Sequence, residues 1–300
     1  MQQTAHVFPG QGSQRVGMGI DLYSSFKQVK DIYDEADSVL GFPLSKICFE
    51  GPEDELRQTI NAQPAILVTS IAYLVAKGLW ADYGSGSPVF VAGHSLGEYT
   101  ALVAAKALAF ADAVRLARER GRLMHEAGQR TPGGMVAIIA LDESSVQEIC
   151  KQSGAQVANI NSSEQIVISG THDCLAQAME LAKARQAHRV VPLQVSAAFH
   201  SHLIQPVVGE MGQVISNVKF NDPVVPVIAN TTAQPINTAD EIRTELLSQI
   251  CSCVQWRRSV EYMINTGVST FIEIGPGSVL TGLIKRIANQ VSATSVEQMG

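Results

Sequence analysis

The stretch VFVAGHSLGEYTAL, residues 89–102, constrains the fold more than any other segment of the 300-residue chain. An apolar run leads at once into G-x-S-x-G and then into residues that read as helix, an order that dictates strand, tight turn, helix. Small residues on either side of Ser95 tolerate a strained turn that lifts its hydroxyl clear of the backbone. The next backbone N–H, that of Leu96, then points with the helix N-terminus toward any negative charge forming there. Such a hydroxyl becomes a nucleophile only when a base takes its proton and donors receive the developing oxyanion.

The base has to come from elsewhere in the chain. His94, adjacent to Ser95, is turned away by the elbow itself and reads as a packing residue. Of His6, His125, His172, His188, His200 and His202, the strongest candidate is His200. It sits in SAAFHSH directly after an apolar strand, where small residues let a backbone turn approach the elbow; His202 is the second choice. No histidine follows His202, and only about two strands precede Ser95. The chain order of the α/β-hydrolases, with several strands before the nucleophile and an acid and a histidine late in the chain, is therefore missing. A base without an obvious carboxylate partner can have its tautomer held by a backbone or amide carbonyl instead.

The helix FADAVRLARERGRLMHEA carries a second constraint. Ala113, Leu116, Ala117, Leu123, Met124 and Ala127 recur at three- and four-residue spacing and define a buried stripe. Arg120 lies on that stripe, whereas Arg115, Arg118 and Arg122 fall with Glu119 and Glu126 on the solvated side. A guanidinium on a buried face is too costly to leave unpaired. It either closes an internal ion pair or forms a fork for a substrate carboxylate, gripped by two parallel hydrogen bonds.

Elsewhere the chain alternates strands and helices. Residues 6–8 form a short strand running into a loop with Gly10, Gly12, Gly17 and Gly19, which lacks the G-x-x-x-x-G-K-[ST] of a phosphate loop. Helical spacing runs through residues 21–40, GPEDELRQT opens another helix, and AQPAILVTSIAYLVAKGLWADYG is a helix apolar nearly all round that ends in a Gly/Ser-rich turn at 84–87. Residues 135–195 read β-α-β-β-α-β, the split pattern of a small ferredoxin-like unit. After it come helices, the short strand PVVPVIAN, the strand TFIEIG, the helix PGSVLTGLIKRIA and a polar tail. A composition of 46% apolar and 17% charged residues allows a sizeable core without staples. A net charge of −6 argues against nucleic acid as the main partner. The five cysteines are scattered, C-x-C alone is not a zinc pattern, and no metal site is expected. The start has no secretory leader pattern and no window approaches 18 uninterrupted apolar residues, so a cytoplasmic chain without a membrane span is expected.

Together, FPGQGSQ, GHSLGEYTAL, RGRLM, NINSSEQIVISG, AAFHSH, VQWRRSVEYM and EIGPGSVLTGLIKRI resemble, in order and over most of the chain, the acyl carrier protein S-malonyltransferases. That resemblance implies a larger three-layer α/β domain, α/β-hydrolase-like with a parallel sheet, formed by residues 1–130 and 196–300, with a ferredoxin-like subdomain at 131–195 inserted in it. It implies transfer of malonyl from malonyl-CoA to the phosphopantetheine thiol of acyl carrier protein through a malonyl ester on Ser95, with His200 as base and later acid. Arg120 corresponds to the clamp for the free malonyl carboxylate, and Gln11 with the Leu96 N–H to the oxyanion hole. Gln249 stands where the family has a glutamine whose carbonyl region orients the histidine. Asn159 and Asn161 fall in an N-x-N segment near the cleft, and Phe199 would crowd an added methyl group, favouring malonyl over methylmalonyl. No cofactor and a monomer are expected, and Arg185, Arg189, Lys285 and Arg286 are candidates for docking an acidic carrier by charge. One departure is Ser252-Cys253, where many relatives carry Asn-Pro. The rival reading is a hydrolase that strips acyl groups from carrier proteins with the same serine and histidine; a silent docking subunit is a second.

Overall fold

A computed structural model describes residues 3–79 and 87–298. Most of the Gly/Ser-rich turn expected at 84–87 lies outside these residues. Ten strands occur among them: β1 (Gln3–Phe8), β2 (Phe90–Gly93), β3 (Gly133–Ile139), β4 (Gln156–Ile160), β5 (Gln165–Thr171), β6 (Arg189–Pro192), β7 (Val227–Ile228), β8 (Pro235–Ile236), β9 (Val268–Glu273) and β10 (Ser292–Ser295). They form a six-stranded sheet in the order β10-β9-β1-β2-β7-β8 and a four-stranded sheet in the order β4-β5-β3-β6.

The large sheet is parallel from β10 to β7, with β8 added antiparallel at one edge. One of its faces packs on a core that includes Ile66, Leu67 and Ile71 of the helix Thr59–Ala76. The other packs on Trp256, Val260, Leu280 and Ile284, from the helices Trp256–Asn265 and Val279–Ile287. This is a three-layer α/β arrangement. All neighbouring strands of the small sheet are antiparallel, and its two helices, Glu143–Ser153 and His172–Ala184, bury a separate core around Ile138, Ile149 and Ile168. The order β4-β5-β3-β6 in a β-α-β-β-α-β chain is the ferredoxin-like pattern.

Two segments differ from their sequence reading. The helical stretch at 21–40 is two helices, Ile20–Ser25 and Lys27–Leu40, because Phe26 adopts an extended backbone between them. The polar tail contains β10, which escapes a hydrophobicity reading because an edge strand of Ser, Ala and Thr buries only alternate side chains.

The helix Thr59–Ala76 is long and apolar enough to cross a membrane by length and composition, but 83% of it is buried inside the fold. It contains Pro64, whose missing N–H leaves the Ile60 carbonyl without its helical donor. Arg118 supplies the replacement, donating Nη1 to that carbonyl at 3.0 Å and to the Asn61 side chain. Arg118 is therefore half-buried against this helix and not on the open face that its spacing suggested. Three positions further, Gly121 allows the helix Phe110–Arg130 to touch the same backbone, since a Cβ there would lie 2.7 Å from the Thr59 carbonyl. That close crossing sets Arg120 beside Gln63.

The two glycines of G-x-S-x-G have steric reasons. A Cβ on Gly93 would fall 1.9 Å from the Gly97 carbonyl carbon, and one on Gly97 would fall 2.1 Å from the Phe8 oxygen. Ser95 between them holds φ at +52°, the strained backbone that the motif requires. In the sheet Phe8 stands opposite Gly93, so the loop after β1 and the elbow after β2 leave the carboxyl end of the sheet side by side. Ligands of parallel sheets bind at that end.

Candidate active site

A cleft of about 450 Å³ opens at this end, between the large sheet and the small one. Ser95, Leu96, Gln11, Arg120, Phe199, His200, Asn159 and Asn161 all line it. Of the catalytic and substrate-binding residues expected from the sequence, Gln249 alone does not and lies fully buried beneath the elbow; the second-choice base His202 and the docking candidates Arg185, Arg189, Lys285 and Arg286 also lie outside the cleft lining.

The Ser95 hydroxyl donates to His200 Nε2 at 2.8 Å. On the far side of the ring, His200 Nδ1 donates to the backbone oxygen of Gln249 at 2.9 Å and also faces that of Ser252 at 3.2 Å. With Nδ1 committed as a donor, Nε2 is the free acceptor, the tautomer that a base needs. No carboxylate holds this histidine; carbonyls at the end of the helix Ala239–Gln249 and just beyond do so. The Ser252-Cys253 departure leaves its acceptor in place, because the Ser252 contact is made by the backbone. His200, like Ser95, has a left-handed backbone, with φ +57°. Burial, and next the positive charge of Arg120, push its pKa down to about 3.

The other histidines lie elsewhere. His202 is exposed and bonds Gln156, His6 is buried in β1 with burial pushing its pKa down to about 4, and His172 and His188 are exposed. His94 is turned from the hydroxyl: its Nε2 pairs with Asn161 Oδ1 at 2.8 Å and its ring lies 5.7 Å from that of Trp256. The His94–Asn161 bond links the elbow to the small subdomain. So does β4, where Ile160 and Ala158 exchange backbone hydrogen bonds with Val254.

Arg120 is 1% exposed. Its guanidinium donates to Gln63 Oε1 at 2.8 Å, to Gln249 Oε1 at 2.8 Å and to Ser95 Oγ at 3.1 Å. All three acceptors are neutral oxygens, so the internal ion pair considered from sequence is not what holds it. Its Nε has no acceptor among the described residues, although the atom is buried. A cation held in this way next to a nucleophile, one donor unspent, can receive an anion.

The Ser95 N–H is taken by Asn230 Oδ1 at 2.7 Å, while the Leu96 N–H has no acceptor among the described residues. It is the free donor at the start of the helix Gly97–Ala104. The Gln11 side chain donates to Thr59 Oγ1 at 3.1 Å, which fixes its loop against the helix that carries Gln63. Phe199 is buried, its carbonyl accepting from Ser169 Oγ at 2.5 Å. Among the described residues no three His, Cys, Asp or Glu side chains gather as metal ligands.

Three residues that sequence reading passed over belong to this site. Gln63 shares Arg120, Asn230 braces the elbow, and Glu98, fully buried on the helix after it, accepts from the Asn230 N–H and the Gln249 amide. Glu98 carries a readable signal, being the one charged residue on its otherwise uncharged helix, Gly97–Ala104; Gln63 is one of several polar residues on an uncharged helix, and Asn230 follows a short strand with nothing to mark it.

Comparison with known proteins bears on this geometry. A family model described as acyl transferase domain matches residues 5–299. The chain is similar to the malonyl CoA-acyl carrier protein transacylase of Bacillus subtilis (strain 168), 43% identical over 301 residues that cover 99% of this chain and 94% of the relative. Among solved structures it is similar to an acyl-carrier-protein S-malonyltransferase from Bartonella henselae, with a TM-score of 0.94 and 41% identity over 98% of this chain and 95% of that one. It is also similar to a malonyl-transacylase solved in complex with its type II PKS acyl-carrier protein, with a TM-score of 0.92 and 40% identity over 98% and 96% of the two chains.

Proposed function

The chain belongs to the acyl transferase domain family, among its malonyl-CoA–acyl carrier protein transacylases, and from that premise we infer how its cleft moves malonyl from one thiol to another. The observation that carries the reading is the contact set on one oxygen: Ser95 Oγ bonds His200 Nε2 on one side and buried Arg120 on the other. Nucleophile, base and carboxylate receptor thus share a single point.

In the first half-reaction His200 Nε2 takes the Ser95 proton as Oγ attacks the malonyl thioester carbon. The oxygen of the tetrahedral intermediate is received by the Leu96 N–H and the Gln11 loop. His200 then returns its proton to the departing CoA sulfur, leaving a malonyl ester on Ser95. In the second half the phosphopantetheine thiol of the carrier protein gives its proton to His200 and attacks the ester; collapse frees Oγ, which regains the proton. Arg120 Nη2 stands 3.1 Å from Oγ, so a carboxylate two bonds beyond an acyl carbon on that oxygen falls within its reach. Gln249 serves through its carbonyl on His200, Asn161 by holding His94, Phe199 by narrowing the acyl pocket, and Asn159 as part of the cleft wall.

The nucleophile, base and donors are all protein groups, so this chemistry needs no resident cofactor. On this reading residues 1–130 and 196–300 are the catalytic domain, with 131–195 a subdomain that walls the cleft. A monomer in the cytoplasm, and a carrier seated near Arg185, Arg189, Lys285 and Arg286, are parts of the same proposal. The test is to incubate the purified chain with malonyl-CoA and holo acyl carrier protein. Malonyl carrier protein should accumulate by way of an acylated enzyme seen by intact mass. If free malonate is the main product instead, the chain is a hydrolase.

A pH dependence follows from the depressed histidine. Protonated His200 cannot take the serine proton, so acylation is lost as pH falls through its pKa in the free enzyme, about 3, and not through the usual imidazole value near 6.5. Single-turnover acylation should stay level from pH 8 to about pH 5; a fall centred near 6.5 contradicts it. Short assays are needed. His200 and His6 are held neutral in the fold, so below about pH 6.5 the unfolded chain binds more protons and stability declines.

A further inference from the structure

Glu98 is the fully buried carboxylate beneath the elbow, and its two oxygens serve two arms of the site. Oε1 accepts the Asn230 N–H at 2.9 Å, and the Asn230 side chain in turn ties Gly93 O at 2.7 Å and the Ser95 N–H at 2.7 Å. Oε2 accepts Gln249 Nε2 at 2.5 Å. The same Gln249 nitrogen donates to Ser95 O at 2.8 Å, and its oxygen accepts Arg120 Nη2 at 2.8 Å.

An amide has one accepting and one donating end, and nothing in its shape says which way round it lies. Burial and then the neighbouring Glu245 push the Glu98 pKa up, but both its oxygens face donors, so it acts as an acceptor at each; together with the Ser95 carbonyl it turns the donating end of Gln249 toward itself. The accepting end is left for Arg120. Were the amide reversed, its NH₂ would face the guanidinium, donor against donor, and the two buried acceptors on the other side, Glu98 Oε2 and Ser95 O, would lose their donor. Glu98 is also the carboxylate that reaches the Arg120 charge through this one amide, since Arg120 itself touches only neutral oxygens.

We propose that Glu98 is a positioning residue which, by fixing the orientation of the Gln249 amide, holds Arg120 aimed at the acyl pocket and so sets the preference for a carboxylated acyl group. This rests on the malonyl-transfer reading above. Glu98→Gln keeps the volume but offers one acceptor in place of two; the Asn230 N–H belongs to the backbone and keeps that acceptor, so the new NH₂ faces the Gln249 amide, the partner that can turn, and the relay is broken at that arm. Gln249→Met severs it from the other side without altering the Glu98 side chain.

The experiment measures Ser95 acylation by malonyl-CoA and by acetyl-CoA in the wild type, Glu98→Gln, Gln249→Met and Arg120→Ala, with thermal melting of each. The expected result is a malonyl-to-acetyl selectivity lowered by about tenfold in Glu98→Gln, through a raised malonyl KM, with acetyl acylation changed far less. Gln249→Met should shift the same ratio. A loss equal for both acyl groups, or an unchanged ratio in whichever of the two variants folds, overturns the proposal, because a purely structural role would not separate the substrates. If wild type shows no malonyl preference, or Arg120→Ala leaves the preference intact, the parent reading fails instead, whatever Glu98→Gln does.

Discussion

Replacing Ser95 by alanine should abolish covalent acylation by malonyl-CoA, lowering the rate by on the order of 10⁴-fold or more, as loss of a nucleophile does when base and nucleophile act as a unit. The structure makes this variant clean. The hydroxyl hangs from a turn whose shape is set by Gly93 and Gly97, with the Ser95 N–H held by Asn230, so removal of Oγ leaves the backbone anchored. Alanine has to adopt φ +52° just as serine does, so the fold should melt at nearly the same temperature. Substrate affinity should also survive, because Arg120 keeps its bonds to Gln63 and Gln249. Intact mass after incubation with malonyl-CoA checks the result. A malonyl ester persisting on the variant would move the nucleophile elsewhere and dissolve the assignment of His200 with it.

The second large effect is selective. Arg120→Ala removes two charge-assisted hydrogen bonds to the malonyl carboxylate, each worth about 1.5 kcal/mol, so malonyl acylation should fall by roughly 10²-fold. Acetyl-CoA has no carboxylate to lose, and its acylation should fall much less. Some loss is expected for both, since Gln63 Oε1 and Gln249 Oε1 are left without their donor in a buried setting. Arg120→Gln refills part of that gap and separates the two contributions. Equal losses for malonyl and acetyl would mean that Arg120 only props the site.

Much of this was legible in the chain because burial makes chemistry conspicuous. G-x-S-x-G fixed strand, turn and helix through steric demands that no other residues satisfy, and Arg120 stood out as a charge on an apolar stripe. The split β-α-β-β-α-β order was readable because each of its strands is an apolar run with turn residues at its ends. The strand β10 and the break at Phe26 were not, since one buries too little and the other depends on tertiary packing. Arg118 was misplaced for a related reason: its partner is a carbonyl vacated by Pro64 on another helix, and periodicity within one helix cannot see that. His200 could be picked by context, and a carbonyl expected as its holder, but which carbonyl came only with the resemblance that named Gln249, because the groups on Nδ1 are backbone oxygens, which every residue has.

Those oxygens bear on how such a site drifts over generations. A triad acid is encoded in one codon and lost with one base change, whereas the acceptors at Gln249 and Ser252 belong to the peptide itself. Here the side chains along that turn are Ser252 and Cys253, and the imidazole finds its acceptor in the Ser252 backbone oxygen without using either of them. What natural selection must preserve there is the path of the chain, pinned by Val254 to the neighbouring subdomain, and not the identity of the side chains along it.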